Sequence, residues 1–179
     1  RTGQRNTTAE IADALGMAYA YGVEFFEMGL GGPTEAAFCA DDFNALGFHG
    51  NAILSAAPFQ DLRLIRLPEE GYWFDADGGG GADEPRIGTR MAIAAMWETE
   101  AGPSCAVSTH LESNAAADYR HRQMEVLLDA VDDFAHGLPV VLGGDLNTGN
   151  HMPPDFDWRR ETLFDLAEGR GFRWDASAA

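Results

Sequence analysis

Leu138-Pro139-Val140-Val141-Leu142-Gly143-Gly144-Asp145-Leu146-Asn147-Thr148 is the stretch that decides the reading of this chain. Leu138 to Leu142 predicts an apolar strand that stops at two glycines. A carboxylate, an apolar residue and a carboxamide follow. Side chains alternate along extended backbone, so Asp145 and Asn147 point the same way from the strand's C-terminal edge. An anionic acceptor beside a neutral donor and acceptor suits binding a hydrated Mg2+ and a phosphate oxygen together.

Upstream, Asn114 to His136 predicts the longest helix, with Tyr119, Met124, Leu127, Leu128, Val131 and Phe134 as its apolar positions. Before it, Arg90–Thr99 and Ser104–Leu111 read as a hairpin around Glu100-Ala101-Gly102-Pro103. The second strand places Ala106, Ser108 and His110 on one face, with His110 at its end, 35 positions before Asp145. Strand, helix, strand is a crossover unit, which lays the two strand ends side by side. There an imidazole can hydrogen-bond a phosphoryl oxygen or act as acid or base. A strand-end histidine alone is more often structural. Beside the Gly-Asp-x-Asn turn the functional reading is the stronger one.

Towards the N-terminus, Asn6 or Thr7 caps a helix that carries Ile11, Ala12 and Leu15 and stops at Gly16. Met17–Phe26 reads as an aromatic-rich strand, Gly29–Pro33 as a loop, Gly50–Ser55 as a short buried strand and Phe59–Leu67 as a half-exposed one. Asp75–Pro85, with four consecutive glycines from Gly78, predicts a flexible loop, and Glu161–Gly169 a short helix. Strands outnumber helices, and hairpins mix with crossovers. The pattern predicts a mixed sheet, or two packed sheets, covered by helices in one domain over residues 1–179.

Composition narrows the chemistry. Formal net charge is −17, and all 12 basic residues are arginine. Without lysine there is no Walker-A loop and no Schiff-base lysine. The acidity disfavours broad electrostatic capture of nucleic acid, and tilts the substrate away from long duplex DNA. No apolar run approaches the roughly 20 residues of a membrane helix. Cys39 and Cys105 are too few for a disulfide framework or a zinc cluster and read as buried thiols, with a single disulfide between them as the alternative. Gly144-Asp145 and Gly149-Asn150-His151 superficially match two-metal phosphatase motifs, but only a few loop residues separate them and no earlier Asp-x-His exists. His110-Leu111-Glu112 lacks the Pro-Cys-x-x-Cys of the zinc deaminases.

Ser108-Thr109-His110-Leu111 and Gly143-Gly144-Asp145-Leu146-Asn147 resemble two blocks of the endonuclease/exonuclease/phosphatase superfamily, the DNase I-like proteins. Gly50-Asn51-Ala52-Ile53-Leu54-Ser55 is similar to a glycine-led strand of that family, with Pro58 in its usual place. Arg122 and Gln123 match a common pairing in the helix, and Arg90 opens the strand before the histidine strand. The resemblance implies an α+β, DNase I-like four-layer sandwich of two mixed β-sheets flanked by helices. It implies phosphodiester or phosphomonoester hydrolysis with Mg2+ or Mn2+ on a nucleic acid, a phospholipid headgroup or a small phosphoester. His110, Asp145 and Asn147 would be catalytic: His110 on the scissile phosphate, Asp145 on the attacking water, Asn147 on phosphate. Asp145 and Asn147 would also serve the metal, and Arg90 and Asn51 would bind phosphate; the alternative for Arg90 is an edge-strand salt bridge. The family's metal-binding Glu and terminal Ser-Asp-His block are not in this sequence, so it reads as an internal fragment lacking both ends, with an incomplete sandwich and weak or no hydrolysis on its own. Glu24 and Glu27 are poor replacements for that Glu because they follow the first helix. The competing reading is a catalytically inert domain of the same fold used for binding.

Overall fold

The computed structural model describes residues 5–27, 29–30, 36–37, 47–68, 86–113, 115–150 and 152–174. Its elements are α1 (Thr7–Leu15), β1 (Ala18–Glu27), β2 (Phe48–Ser55), β3 (Phe59–Arg66), β4 (Arg86–Gly88), β5 (Met91–Thr99), β6 (Gly102–His110), α2 (Ala117–Ala135), β7 (Val140–Asp145), a 3-10 turn at Trp158–Arg160, and α3 (Thr162–Gly169). One sheet has the order β2-β1-β4, the other β3-β5-β6-β7. β6 and β7 are parallel and the other pairs antiparallel. The two sheets face each other, with α2 and α3 against the second, so the expected α+β sandwich is observed.

β5 explains the two-sheet arrangement. Met91 to Ala95 are all buried, without alternation. Ala92 and Ala94 join Val107, Leu127, Leu128, Val131 and Leu163 in the core under α2 and α3. Met91 and Ile93 pack with Ala20 between the sheets. A strand buried on both faces carries a continuous apolar run. The small side chains on its helix side let α2 lie close, and the larger ones fill the inter-sheet layer.

Local chemistry accounts for the element ends. The Asn6 side chain accepts from the Ala9 amide, and Gly16 closes α1 in the left-handed conformation, as its sequence predicts. Three expectations shift. β4 was not foreseen; it pairs with Phe25–Glu27 of β1. The 3-10 turn was also missed, and its signal is Asp157, whose side chain accepts from the Arg159 amide. The last strand does not stop at its glycines but runs on to Asp145. The reason is close approach. A Cβ on Gly144, whose φ is +145°, would lie 1.9 Å from the Thr109 carbonyl oxygen on β6. Glycine is what lets β7 seat against β6 there. Gly144→Ala is therefore expected to cost about 3 kcal/mol, read as a fall of roughly 6–12 °C in Tm. An unchanged Tm would show that the strands do not meet this closely.

Cys105 is a buried free thiol whose pKa is pushed up by burial. Cys39, Gly31–Pro33, Gly78–Gly81 and His151 lie outside the described residues. Among the described residues no helix is long and apolar enough to cross a membrane.

Candidate active site

His110 and Asp145 are register partners at the ends of the parallel strands β6 and β7, and the Leu111 amide donates to the Asp145 carbonyl at 2.9 Å. The crossover through α2 thus does what the strand–helix–strand order predicts. His110 Nε2 lies 3.9 Å from Asp145 Oδ2, and the Asp145 side chain is 67% exposed. An imidazole and an open carboxylate therefore face one another at the sheet edge.

The other side of His110 was not foreseen. Its Nδ1 is 3.0 Å from Oε2 of Glu24, a residue only 2% exposed. Arg90, 3% exposed, bonds Oε1 of the same carboxylate through Nη1. Its Nε donates to Glu112 Oε2 at 3.3 Å and its Nη2 to Ser113 Oγ at 3.0 Å, and Nη1 also lies 2.9 Å from His110 Nδ1 and 3.1 Å from its Nε2. A buried guanidinium between two carboxylates is the arrangement that lets charge persist away from water. Of the two readings of Arg90, a phosphate contact and a salt bridge, the ion pairs with Glu24 and Glu112 match the second. The Arg90 guanidinium is turned inward, towards Glu24, Glu112 and His110.

Backbone geometry aims Glu24 at the site. Its register with β2 is irregular between Val23 and Phe25, a β-bulge centred on Glu24, and bulges re-aim side chains. The bulged carbonyl accepts from the Thr89 amide at 3.0 Å, next to Arg90. Burial, and secondarily the Glu24 carboxylate, pushes the Tyr21 phenol up.

Asn147 sits at φ +50°, a left-handed conformation asparagine tolerates. Its amide donates to Asp145 Oδ1 at 2.9 Å, its Nδ2 to the Leu111 carbonyl at 2.9 Å, and its Oδ1 accepts from Asn150 Nδ2 at 2.7 Å. Asp145 and Asn147 thus belong to one hydrogen-bonded turn. Beside it opens a recess of about 460 Å³ whose walls include Asp145, Asn147, Asn150 and Trp158.

Asn51 is held differently: its Nδ2 donates to the Met91 carbonyl at 2.9 Å and so ties β2 to β5. Beside its apolar face, the helix turns Arg120 and Gln123 inward, whereas Arg122 is exposed beside Asp118. Gln123 Oε1 accepts from the Glu112 amide at 2.8 Å, which supports the loop after His110.

No three His, Cys, Asp or Glu side chains converge as a metal-ligand group among the described residues. Glu24 and Glu112 are committed to Arg90, which leaves Asp145 as the open carboxylate, with the Asn147 carboxamide beside it. Mg2+ commonly keeps several waters and takes one or two carboxylates. This donor set fits a largely hydrated Mg2+ or Mn2+ rather than a caged ion.

No protein-family model and no curated protein matches this sequence. Solved structures do match in fold. The human Nocturnin catalytic domain with bound sulfate superposes at TM-score 0.57 with 18% identity, over 92% of this chain and 52% of that one. An endonuclease/exonuclease/phosphatase from Beutenbergia cavernae DSM 12333 superposes at 0.59 with 20% identity, over 90% and 38%. ANGEL2, a 2',3'-cyclic phosphatase in complex with adenosine-2',3'-vanadate, superposes at 0.52 with 16% identity, over 92% and 40%. The chain therefore spans about half or less of these structures. Superposition over nine-tenths of this chain shows that it shares their fold, the DNase I-like α+β sandwich.

Proposed function

We propose that this chain carries part of a phosphoester-hydrolysing site built on Glu24, His110, Asp145 and Asn147. The observation that supports it best is the line Glu24–His110–Asp145. A buried carboxylate sits at one ring nitrogen and an open carboxylate faces the other. A carboxylate at Nδ1 takes a ring N–H and orients the imidazole, and a hydrogen on Nε2 would then be the donor that meets a substrate oxygen. In this reading His110 contacts the scissile phosphate, Asp145 orients or deprotonates the attacking water, and a side-chain N–H of Asn147 meets a phosphoryl oxygen. Arg90 acts by holding Glu24 and His110 in place.

The charge balance favours a divalent cation. Glu24, Glu112 and Asp145 against Arg90 leave a formal −2, or −1 with a second hydrogen on His110, a poor host for a phosphate anion by itself. Asp145 and Asn147 would hold a hydrated Mg2+ or Mn2+, which supplies charge neutralisation on the phosphoryl oxygens. The substrate class in this reading is a nucleic acid, a phospholipid headgroup or a small phosphoester, with the net charge tilting towards the smaller ones. The ligands of Nocturnin and ANGEL2, a sulfate and an adenosine vanadate, make nucleotide phosphoesters the first class to assay.

The test uses the full encoded polypeptide, with bis(p-nitrophenyl) phosphate, adenosine 2',3'-cyclic phosphate, a phosphoinositide and sphingomyelin. Hydrolysis of at least one is expected in Mg2+ or Mn2+, abolished by EDTA and lowered about 10³-fold by His110→Ala. Turnover that survives His110→Ala unchanged would sink the assignment.

A further inference from the structure

The loop that follows Asp145 is held from behind by an ion pair that the hydrolase reading does not use. Arg120 on α2 and Glu161 before α3 are both fully buried. They pair twice, Nε to Oε2 at 2.9 Å and Nη2 to Oε1 at 2.6 Å. Both also grip the loop. The Gly149 amide donates to Glu161 Oε1 at 2.6 Å, and Arg120 Nη2 donates to the Asn150 carbonyl at 3.3 Å. The remaining Arg120 Nη1 donates to the Ala115 carbonyl at 2.5 Å, ahead of α2. Two successive loop residues are thus pinned by a pair with no other exposed function.

What is pinned bears on Asn147. The Leu111 carbonyl can only accept, so the Asn147 atom facing it is the Nδ2 donor. The opposite atom is then Oδ1, and the Asn150 atom 2.7 Å from it must be the donating Nδ2. Both amide orientations follow from one backbone carbonyl. With one Nδ2 hydrogen given to Leu111 and Oδ1 receiving from Asn150, one Nδ2–H of Asn147 stays uncommitted.

Resting on the hydrolase reading, we propose that Asn150 is a positioning residue. Held by the Arg120–Glu161 pair, it locks the Asn147 carboxamide so that its one uncommitted N–H is presented to the phosphoryl oxygen. Asn150 touches no reacting atom in this scheme; it acts through Asn147. Small displacements of such a donor cost about tenfold to a hundredfold in rate.

The experiment compares Asn150→Ala with Asn150→Asp in the full encoded polypeptide. Asn150 is exposed, so both variants keep the fold. Asp is nearly isosteric but places an acceptor against the Asn147 acceptor. The expected order is the informative part: kcat falls about tenfold in Asn150→Ala and about a hundredfold in Asn150→Asp, with KM within about twofold of the parent. A merely structural role reverses that order, because Asp fills the space that Ala leaves; Asn150→Asp as active as Asn150→Ala, or more so, overturns the proposal. The Asn147 side-chain amide resonances in the metal-free protein are read in parallel. They should move in both variants, and most in Asn150→Asp. If the parent hydrolyses none of the substrates, the hydrolase reading fails while these resonances still decide the lock. Resonances unchanged in Asn150→Asp overturn it.

Discussion

Glu24→Gln is expected to lower kcat about 10³-fold, although it changes one buried atom and leaves the packing volume intact. The reason is the obligatory polarity of Arg90. A guanidinium only donates, so the glutamine carbonyl must face Arg90 where Oε1 now does. That turns the amide NH2 towards His110 Nδ1, where Oε2 now lies at 3.0 Å. His110 Nδ1 then meets two donors, the new amide and Arg90 Nη1, and must accept, so the ring can no longer carry hydrogens on both nitrogens and loses the positive charge it would bring to a phosphoryl oxygen. Loss of one buried charge should also lower stability by about 1–3 kcal/mol, with Arg90 retaining Glu112. Substrate kinetics and imidazole ¹⁵N shifts measured on the same sample check both halves. A variant with the parent's ring protonation and the parent's kcat would remove Glu24 from the site.

The second large effect is on stability. Glu161→Leu leaves Arg120 charged in a fully buried position and is expected to cost about 3–5 kcal/mol in urea unfolding. The pair Arg120→Met with Glu161→Leu removes both charges and should regain most of that loss, because apolar groups of similar volume replace a buried ion pair at little cost. Stability regained in the double variant need not restore the loop, whose Gly149 amide and Asn150 carbonyl lose their partners. A double variant as unstable as the two single losses added together would show that the pair contributes through its hydrogen bonds to the loop and not as a charge couple.

Much of this arrangement was legible in the chain. The Gly-Asp-x-Asn turn, the strand-end histidine and the helix between them follow from periodicity and glycine placement, and those are local signals. The strand-ending role given to Gly143 and Gly144 was wrong for a long-range reason: the backbone of β6, invisible in the local sequence, needs a residue without a side chain opposite Thr109. Glu24 was named only as a poor metal ligand. Its partner His110 lies 86 positions away, beyond any periodic signal. A hint was present nonetheless. Glu24 shares strand parity with Ala20 and Gly22, the inward face of β1, where an unpaired carboxylate is rarely tolerated. Arg120 was overlooked in favour of Arg122, although it stands four positions before Met124 on the stripe that continues through Leu127, Leu128 and Val131.

The parallel pairing of β6 with β7 also sets when the site can exist during folding. The β5–β6 hairpin closes a two-residue turn, but His110 meets Asp145 only after all of α2 has formed and crossed over, and Glu24 joins from the other sheet. Contacts of such sequence separation carry the largest loop-closure entropy and are made late. Chains caught partway, with hairpin and helix in place, would hold most of the second core and none of the chemistry. Catalytic competence would then be a kinetic marker for completed folding.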